Sequence, residues 1–252
     1  MRRNDLGINT EVIKRNIAGN ESIDRGIALG ESSVGNLIDD LLKYNTVTVS
    51  SKAPIAKTYL LFLISKTIIA RGNQVHYFDL DFQFSSIVSI SKNKLDSDLN
   101  LYCCKDKEII ETAVSILSAI DVQRNGLVVV DSINTLQTVL AKRESALDFP
   151  KANHEAAILV SLFQEFAMRN SKLLLMTDVV TSKPVKESGL QIWGSELSGG
   201  RMIKLKSDVV LSVEQDQLLP SLLKVHIDAV FENSGSEVRA GKSYALELQS
   251  FT

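Results

Sequence analysis

The stretch Thr46–Asp79, TVTVSSKAPIAKTYLLFLISKTIIARGNQVHYFD, decides how the chain folds. An apolar alternating run, Val47 to Ser50, gives way at a sharp turn to a Lys-Thr pair and then to an apolar segment of helix length. A second apolar run, Val75 to Phe78, ends in Asp79. Strand, loop, helix and strand in this order predict a right-handed βαβ unit whose loop lies at the carboxyl end of the first strand. A phosphate would sit there. The loop, Ser51, Lys52, Ala53, Pro54, Ile55, Ala56, Lys57 and Thr58, meets the phosphate-cradling pattern G-x-x-x-x-G-K-[ST] at its last two positions only. Ser51 and Ala56 stand where that pattern has glycine.

Working outward, Ser33 onward reads as a short amphipathic helix with Leu37, Ile38, Leu41 and Leu42 on one face and a Ser at its start. Residues 1–32 show no sustained period and are expected to form an arm ahead of a single core domain over 33–252. Downstream of the loop, Tyr59 to Ala70 is apolar almost all round and closes at Arg71-Gly72, where glycine supplies a left-handed residue. Glu108 to Val122 has helical spacing, Gly126 interrupts it, and Leu127 to Asp131 reads LVVVD, a central parallel strand covered on both faces. Asn153 to Arg169 is expected to be a second crossover helix capped by Asn153, leading to a buried strand over Leu173 to Thr177. Asp178 to Lys206 has no clear period and is expected to be a loop long enough to be functional or mobile. Three alternating runs, Asp208 to Glu214, Lys224 to Phe231 and Ser243 to Leu248, are expected to be antiparallel edge strands.

With 252 residues, 44% hydrophobic and 23% charged, the chain can bury one substantial core. A formal charge of −2 and a pI near 6.0 provide no overall basic field, so nucleic-acid contact must come from a local patch. No apolar run reaches membrane-spanning length and the first residues lack the apolar stretch of a signal peptide, so a cytosolic protein with no membrane partner is expected. Cys103 and Cys104 are adjacent and are expected to be core. His76, His154 and His226 are scattered without metal-ligand spacing.

Taken in order, the damaged phosphate loop, the acidic strand end YFDLDFQF at 77–84, LVVVDS at 127–132, the Thr177 to Val180 segment and the Gly199-Gly200 pair resemble the RecA-type recombinase core. The likeness is greatest to archaeal RadA and RadB proteins and their paralogues, and it covers roughly Ser33 to Leu248. Gly35, Ile38 and Asp39 fit the family's lead-in helix loosely. The resemblance implies an α/β RecA-like P-loop core, with a mostly parallel sheet, helices on both faces and antiparallel edge strands. It assigns ATP and Mg²⁺ to the 51–58 loop, with Lys57 on the phosphates and Thr58 and Asp131 at the metal. Asp81 falls at the family's catalytic Glu. One methylene shorter, it would hold its oxygens back by about 1 Å, a displacement that costs about 100-fold in rate. Val179 replaces the family's γ-phosphate-sensing Gln. The 181–206 segment corresponds to the second DNA-binding loop, with Lys183, Lys186, Trp193, Arg201 and Lys204 as candidate DNA contacts.

The same residues also have plainer readings: a polar turn before a buried helix, a solvated strand end at Asp79 and Asp81, and a charge-mixed surface loop diluted by Glu187 and Glu196. Three features of the loop are expected to weaken ATP binding or abolish it. Ser51 would need a backbone conformation suited to glycine, the Ala56 methyl would intrude on a phosphate, and Pro54 removes an amide donor. The function implied is that of a recombinase paralogue, an accessory or regulator of homologous recombination and DNA repair with weak or lost ATPase. Its expected partners are a RadA-type recombinase and, weakly, DNA, and self-association is open. Because Lys57, Thr58 and Asp131 are retained, the alternative is an active ATPase of the same superfamily, resembling KaiC-like signalling or archaellum-motor proteins.

Overall fold

The computed structural model describes residues 28–90, 98–103, 109–120, 126–142, 148–187, 190–197, 200–231, 237–238 and 241–248. Most of the expected arm over 1–32, and Cys104 and Gly199, lie outside the described residues.

Helix α1 (Ala28–Leu41) leads into β1 (Thr46–Ser51), all six residues of which are buried. Leu37, Ile38 and Leu41 are buried as expected, but Leu42 lies past the helix end and is exposed. The helix also begins at Ala28, so neither Ser32 nor Ser33 caps it. Helix α2 (Pro54–Ala70) starts five residues earlier than the apolar pattern indicates, because Pro54 is suited to the first turn, where its missing amide costs nothing. Gly72 follows with φ +76°, as its position after the helix requires. The chain continues through β2 (Gln74–Asp79), α3 (Gln83–Ile90), β3 (Leu99–Tyr102), α4 (Ile109–Ala119) and β4 (Gly126–Asp131).

Helix α5 (Ile133–Ala141) follows at once, with the Ser132 side chain accepting from the Thr135 amide. Its spacing of Ile133, Leu136 and Leu140 was present in the sequence but is too short to stand out. Helix α6 (Phe149–Arg169) begins earlier than expected, and its cap is Asp148, whose carboxylate accepts from the Lys151 amide at 2.9 Å; Asn153 is inside the helix.

The rest is β5 (Lys172–Glu187), β6 (Leu190–Leu197), α7 (Gly200–Lys206), β7 (Val209–Gln215), β8 (Leu222–Phe231), β9 (Glu237–Val238) and β10 (Ser243–Glu247). The segment expected to be a loop from Asp178 to Lys206 is therefore a hairpin followed by a helix. Val180 to Glu187 pairs antiparallel with Leu190 to Leu197 across two residues, Ser188 and Gly189. A Ser-Gly pair between two alternating runs is a hairpin signal. Pro184 masks it, since proline argues against strand.

The main path through the sheet runs β10-β8-β7-β1-β5-β4-β2-β3. Strands β7, β1, β5, β4, β2 and β3 are mutually parallel, β8 pairs antiparallel with β7, and β10 pairs antiparallel with β8. Of the three expected edge strands, β7 differs: it joins β1 in parallel and turns back only into β8. Alternate side chains fill two cores. One, under α1 and α2, contains Val47, Val49, Tyr77, Val129 and Leu175; the other, under α4, α5 and α6, contains Phe78, Val128, Val130, Leu174 and Met176. The protein is thus α/β, with a mostly parallel sheet covered on both faces and antiparallel strands at one edge. Among the described residues, no helix is long and apolar enough to cross a membrane.

Candidate functional site

Strands β1, β5, β4 and β2 are neighbours, and their carboxyl ends bring Ser51, Thr177, Asp131 and Asp79 to one edge of the sheet. In open α/β sheets ligands bind at this edge. Helix α2 brings Lys57 there from its first turn.

Only Lys52 and Ala53 separate β1 from α2. Ser51 is the last strand residue, in register with Val179, and its φ is not positive; among the described residues, only Phe82 and Ser171 are non-glycine positions with positive φ. The strain expected at Ser51 is therefore absent, because the strand runs on where a cradle would have curled. The Ser51 hydroxyl lies 2.8 Å from the Ala53 carbonyl oxygen and 2.9 Å from that of Val213, and it accepts from the Ala53 amide at 3.1 Å. Ala56 does not face a phosphate. It is fully buried inside α2 as part of the core, and its amide bonds to the Ala53 carbonyl at 3.0 Å. Ile55 is on the exposed side of the helix start.

All three protons of the Lys57 ammonium point inward. Nζ is 2.7 Å from Asp131 Oδ1, 3.0 Å from Asp81 Oδ2 and 3.2 Å from Thr177 Oγ1. The side chains of Lys57 and Asp131 are fully buried, and that of Asp81 is 12% exposed. Burial alone would discharge Lys57, but Asp131 and Asp81 outweigh it and raise its pKa, so the cation persists. Asp131 also accepts from the Thr177 hydroxyl and from Tyr77 Oη at 2.7 Å, and its carbonyl accepts from the Leu80 amide at 2.7 Å. Asp81 Oδ1 lies 3.1 Å from Ser132 Oγ. Thr58 Oγ1 is 3.2 Å from both the Pro54 carbonyl oxygen and Gln83 Oε1. The Asp131–Ser132 peptide is cis.

The structure thus brings together Lys57, Asp81 and Asp131 of the sequence-derived candidates, with Thr58 beside them. It adds Tyr77 and Thr177 as partners of Asp131. In the sequence Tyr77 stands only as one member of the apolar run Val75 to Phe78. Its signal was that a tyrosine buried in a central strand needs an acceptor for its hydroxyl, and the neighbouring strand ends in an aspartate.

As arranged, these residues do not fit Mg²⁺-nucleotide. Magnesium needs carboxylate or hydroxyl oxygens at about 2.0–2.1 Å in octahedral geometry, whereas the Asp131 oxygens accept from Lys57, Thr177 and Tyr77. The Lys57 ammonium, the group a phosphate would require, is spent on carboxylates. The cluster ties α2, β2, β4 and β5 together through the buried Lys57–Asp131 ion pair and its hydroxyl partners Tyr77 and Thr177.

The candidate DNA contacts are placed by backbone only. Lys183, Lys186 and Trp193 are on the β5–β6 hairpin, with Pro184 opposite Trp193, and Arg201 and Lys204 are on α7. The side chains of these five lie outside the described part.

Asp79 sits in register with Asp131, fully buried, with Oδ2 accepting from the Ser85 amide at 2.7 Å and Oδ1 without a hydrogen-bond partner among the described residues. Burial pushes its carboxyl up to about 6, with Asp131 adding to the effect against the Ser85 bonds. Between the unfolded carboxyl pKa of about 4 and this value, the folded protein holds a proton that the unfolded chain has lost, so this group makes stability fall as pH rises. Asp79→Asn is expected to become more stable relative to the parent by about 2–3 kcal/mol on going from pH 4 to pH 7, read as the difference between urea-unfolding free energies. A difference that does not change over that range would show that Asp79 ionises normally. His76, buried on β2 and held down to about 4 by burial and by Lys172, acts in the opposite sense, so the parent alone would hide the effect.

No protein-family model matches the chain, and no curated protein matches it.

Proposed function

We propose that this chain is a recombinase paralogue of the RecA/RadA type that serves homologous recombination and repair as an accessory or regulator, acting by contact and not by nucleotide turnover. The observation that carries this reading is the Lys57 ammonium, fully buried on Asp131, Asp81 and Thr177. A parallel sheet with a Lys-Thr helix start, a strand-end aspartate and a second acidic residue all at one edge supports a RecA-like P-loop core. The inward lysine, the two-residue turn and the core-packed Ala56 support loss of the fuel pocket. The β5–β6 hairpin continues β5 beyond its pairing with β1, past the carboxyl edge of the sheet. It carries Lys183, Lys186 and Trp193, a composition suited to weak, salt-sensitive DNA contact.

The test is a strand-exchange assay with an active RadA-type recombinase, with and without this chain, alongside thermal unfolding of the chain in millimolar Mg²⁺-ATP. Expected results are a severalfold change in strand-exchange rate and no rise in Tm. A ligand present at 100 times its Kd would add about 2.7 kcal/mol and be plainly visible. Unchanged strand exchange would remove the accessory role. A clear Tm rise with ATP turnover lost in Asp131→Asn would favour the KaiC-like ATPase reading.

A further inference from the structure

We infer that the groove between α4 and α6 is a binding site for a free apolar α-amino acid, held by its own ammonium and carboxylate. The groove has a volume of about 450 Å³, within the size range of small-ligand sites. Leu162, Glu165, Phe166 and Arg169 follow one another at steps of three, one and three, so one stripe of α6 presents two apolar and two charged side chains to it. Val114 and Leu117 of α4, and Ile120 just after it, line the other side. Leu162 and Phe166 are only partly buried and Val114 is 42% exposed, so the walls hold apolar surface that the core does not use.

The site is separate from the Lys57 cluster. Helix α6 ends at Arg169 and β5 starts at Lys172, which puts Arg169 at the amino edge of the sheet, whereas Asp131 ends β4 at the carboxyl edge.

The charged pair selects the ligand. Arg169 Nη2 donates to Glu165 Oε1, and the two side chains are 75% and 54% exposed. An exposed pair of this kind contributes little, so opening it costs little. Whatever enters must leave neither charge alone. A simple anion on Arg169 would strand Glu165 beside it, and a simple amine on Glu165 would strand Arg169. A molecule with both charges on one carbon turns one pair into two: its carboxylate accepts from the Arg169 guanidinium, and its ammonium donates to Glu165. Residues four apart on a helix have Cβ atoms about 5–6 Å from each other, so both reach one small zwitterion. A residue inside or at the end of a peptide lacks one charge or both, which is why the amino acid must be free. The side chain on the same carbon then meets Leu117, Leu162 and Phe166. An apolar side chain gains there by leaving water, and an aromatic one gains further from the Phe166 ring; a charged or amide side chain would lose its hydration.

A ligand with so few atoms is expected to bind at about 0.1–1 mM. The probe is L-phenylalanine, titrated onto the full chain and followed by saturation-transfer NMR, beside its methyl ester and its N-acetyl derivative, each of which lacks one of the two charges. Phenylalanine should saturate, and each derivative should bind at least about 10-fold more weakly. Val114→Glu, which puts a charge into the groove wall at an exposed position, should abolish binding, and Arg169→Ala should weaken it at least about 10-fold, with both variants keeping the parent's urea-unfolding midpoint. Absence of phenylalanine binding at about 10 mM, derivatives that bind as well as the free amino acid, or a folded Val114→Glu chain that binds normally would each overturn the inference. The first two outcomes are read on the parent chain, so they decide the matter even where a variant does not fold.

Discussion

Lys57→Ala is expected to destabilise the fold by about 3–5 kcal/mol, measured as a drop in urea-unfolding free energy near pH 7. Among the described residues Lys57 is the one cation bonded to Asp131, and both side chains are fully buried. Removing it leaves an ionised carboxylate in the interior with only the Tyr77 and Thr177 hydroxyls to solvate it. Removing one member of a buried pair costs far more than removing both. Lys57→Met combined with Asp131→Asn should therefore recover most of the loss, since no uncompensated buried charge remains; Asp81, partly exposed, can turn to water. A lysine kept for a phosphate behaves differently: its ammonium waits in solvent, and its removal costs binding but little stability. A Lys57→Ala protein within about 1 kcal/mol of the parent would mean that the ammonium is not committed to the carboxylates.

Gly126→Ala is expected to cost about 3 kcal/mol or more. Gly126 opens β4 and pairs with Gln74 of β2, and a Cβ added there would lie 2.3 Å from the Gln74 carbonyl oxygen. Backbone cannot move aside as the end of a long side chain can, so the two central strands would have to part. Gly72→Ala is the control. Nothing lies within 4 Å of the added Cβ, and only the φ of +76° opposes it, for about 1 kcal/mol. Equal losses at the two positions, read from unfolding midpoints, would show that β2 and β4 are not packed this closely. Gly126 had been legible only as a residue interrupting a helical pattern; its role as the point of closest approach between strands depends on which strand lies beside it.

Much of the architecture could be read locally. The runs Val47–Ser50, Val75–Phe78, Leu127–Asp131 and Leu173–Thr177 are continuous or alternating apolar segments, and each became a parallel strand of the central sheet. The helix after the Lys-Thr pair was legible for the same reason. Errors clustered where local signals conflict: Pro184 concealed a hairpin, Asp148 outranked Asn153 as a cap, and the brief pattern of α5 went unmarked.

The sequence by itself determined the order of the four central strands β1, β2, β4 and β5 and the helix after the Lys-Thr pair, and the family resemblance singled out Lys57, Thr58, Asp81 and Asp131 as a set. Burial pattern is a property of neighbours along the chain, so it survives without knowledge of the fold. Only the tertiary structure decided that β7 runs parallel to β1, that Ser51 stays in the strand, and that the Lys57 ammonium turns inward to Asp81 and Asp131, 24 and 74 residues away. Charges that far apart in sequence meet only when the sheet assembles, and there the strength of an ion pair depends on how completely the assembled chain shuts out water.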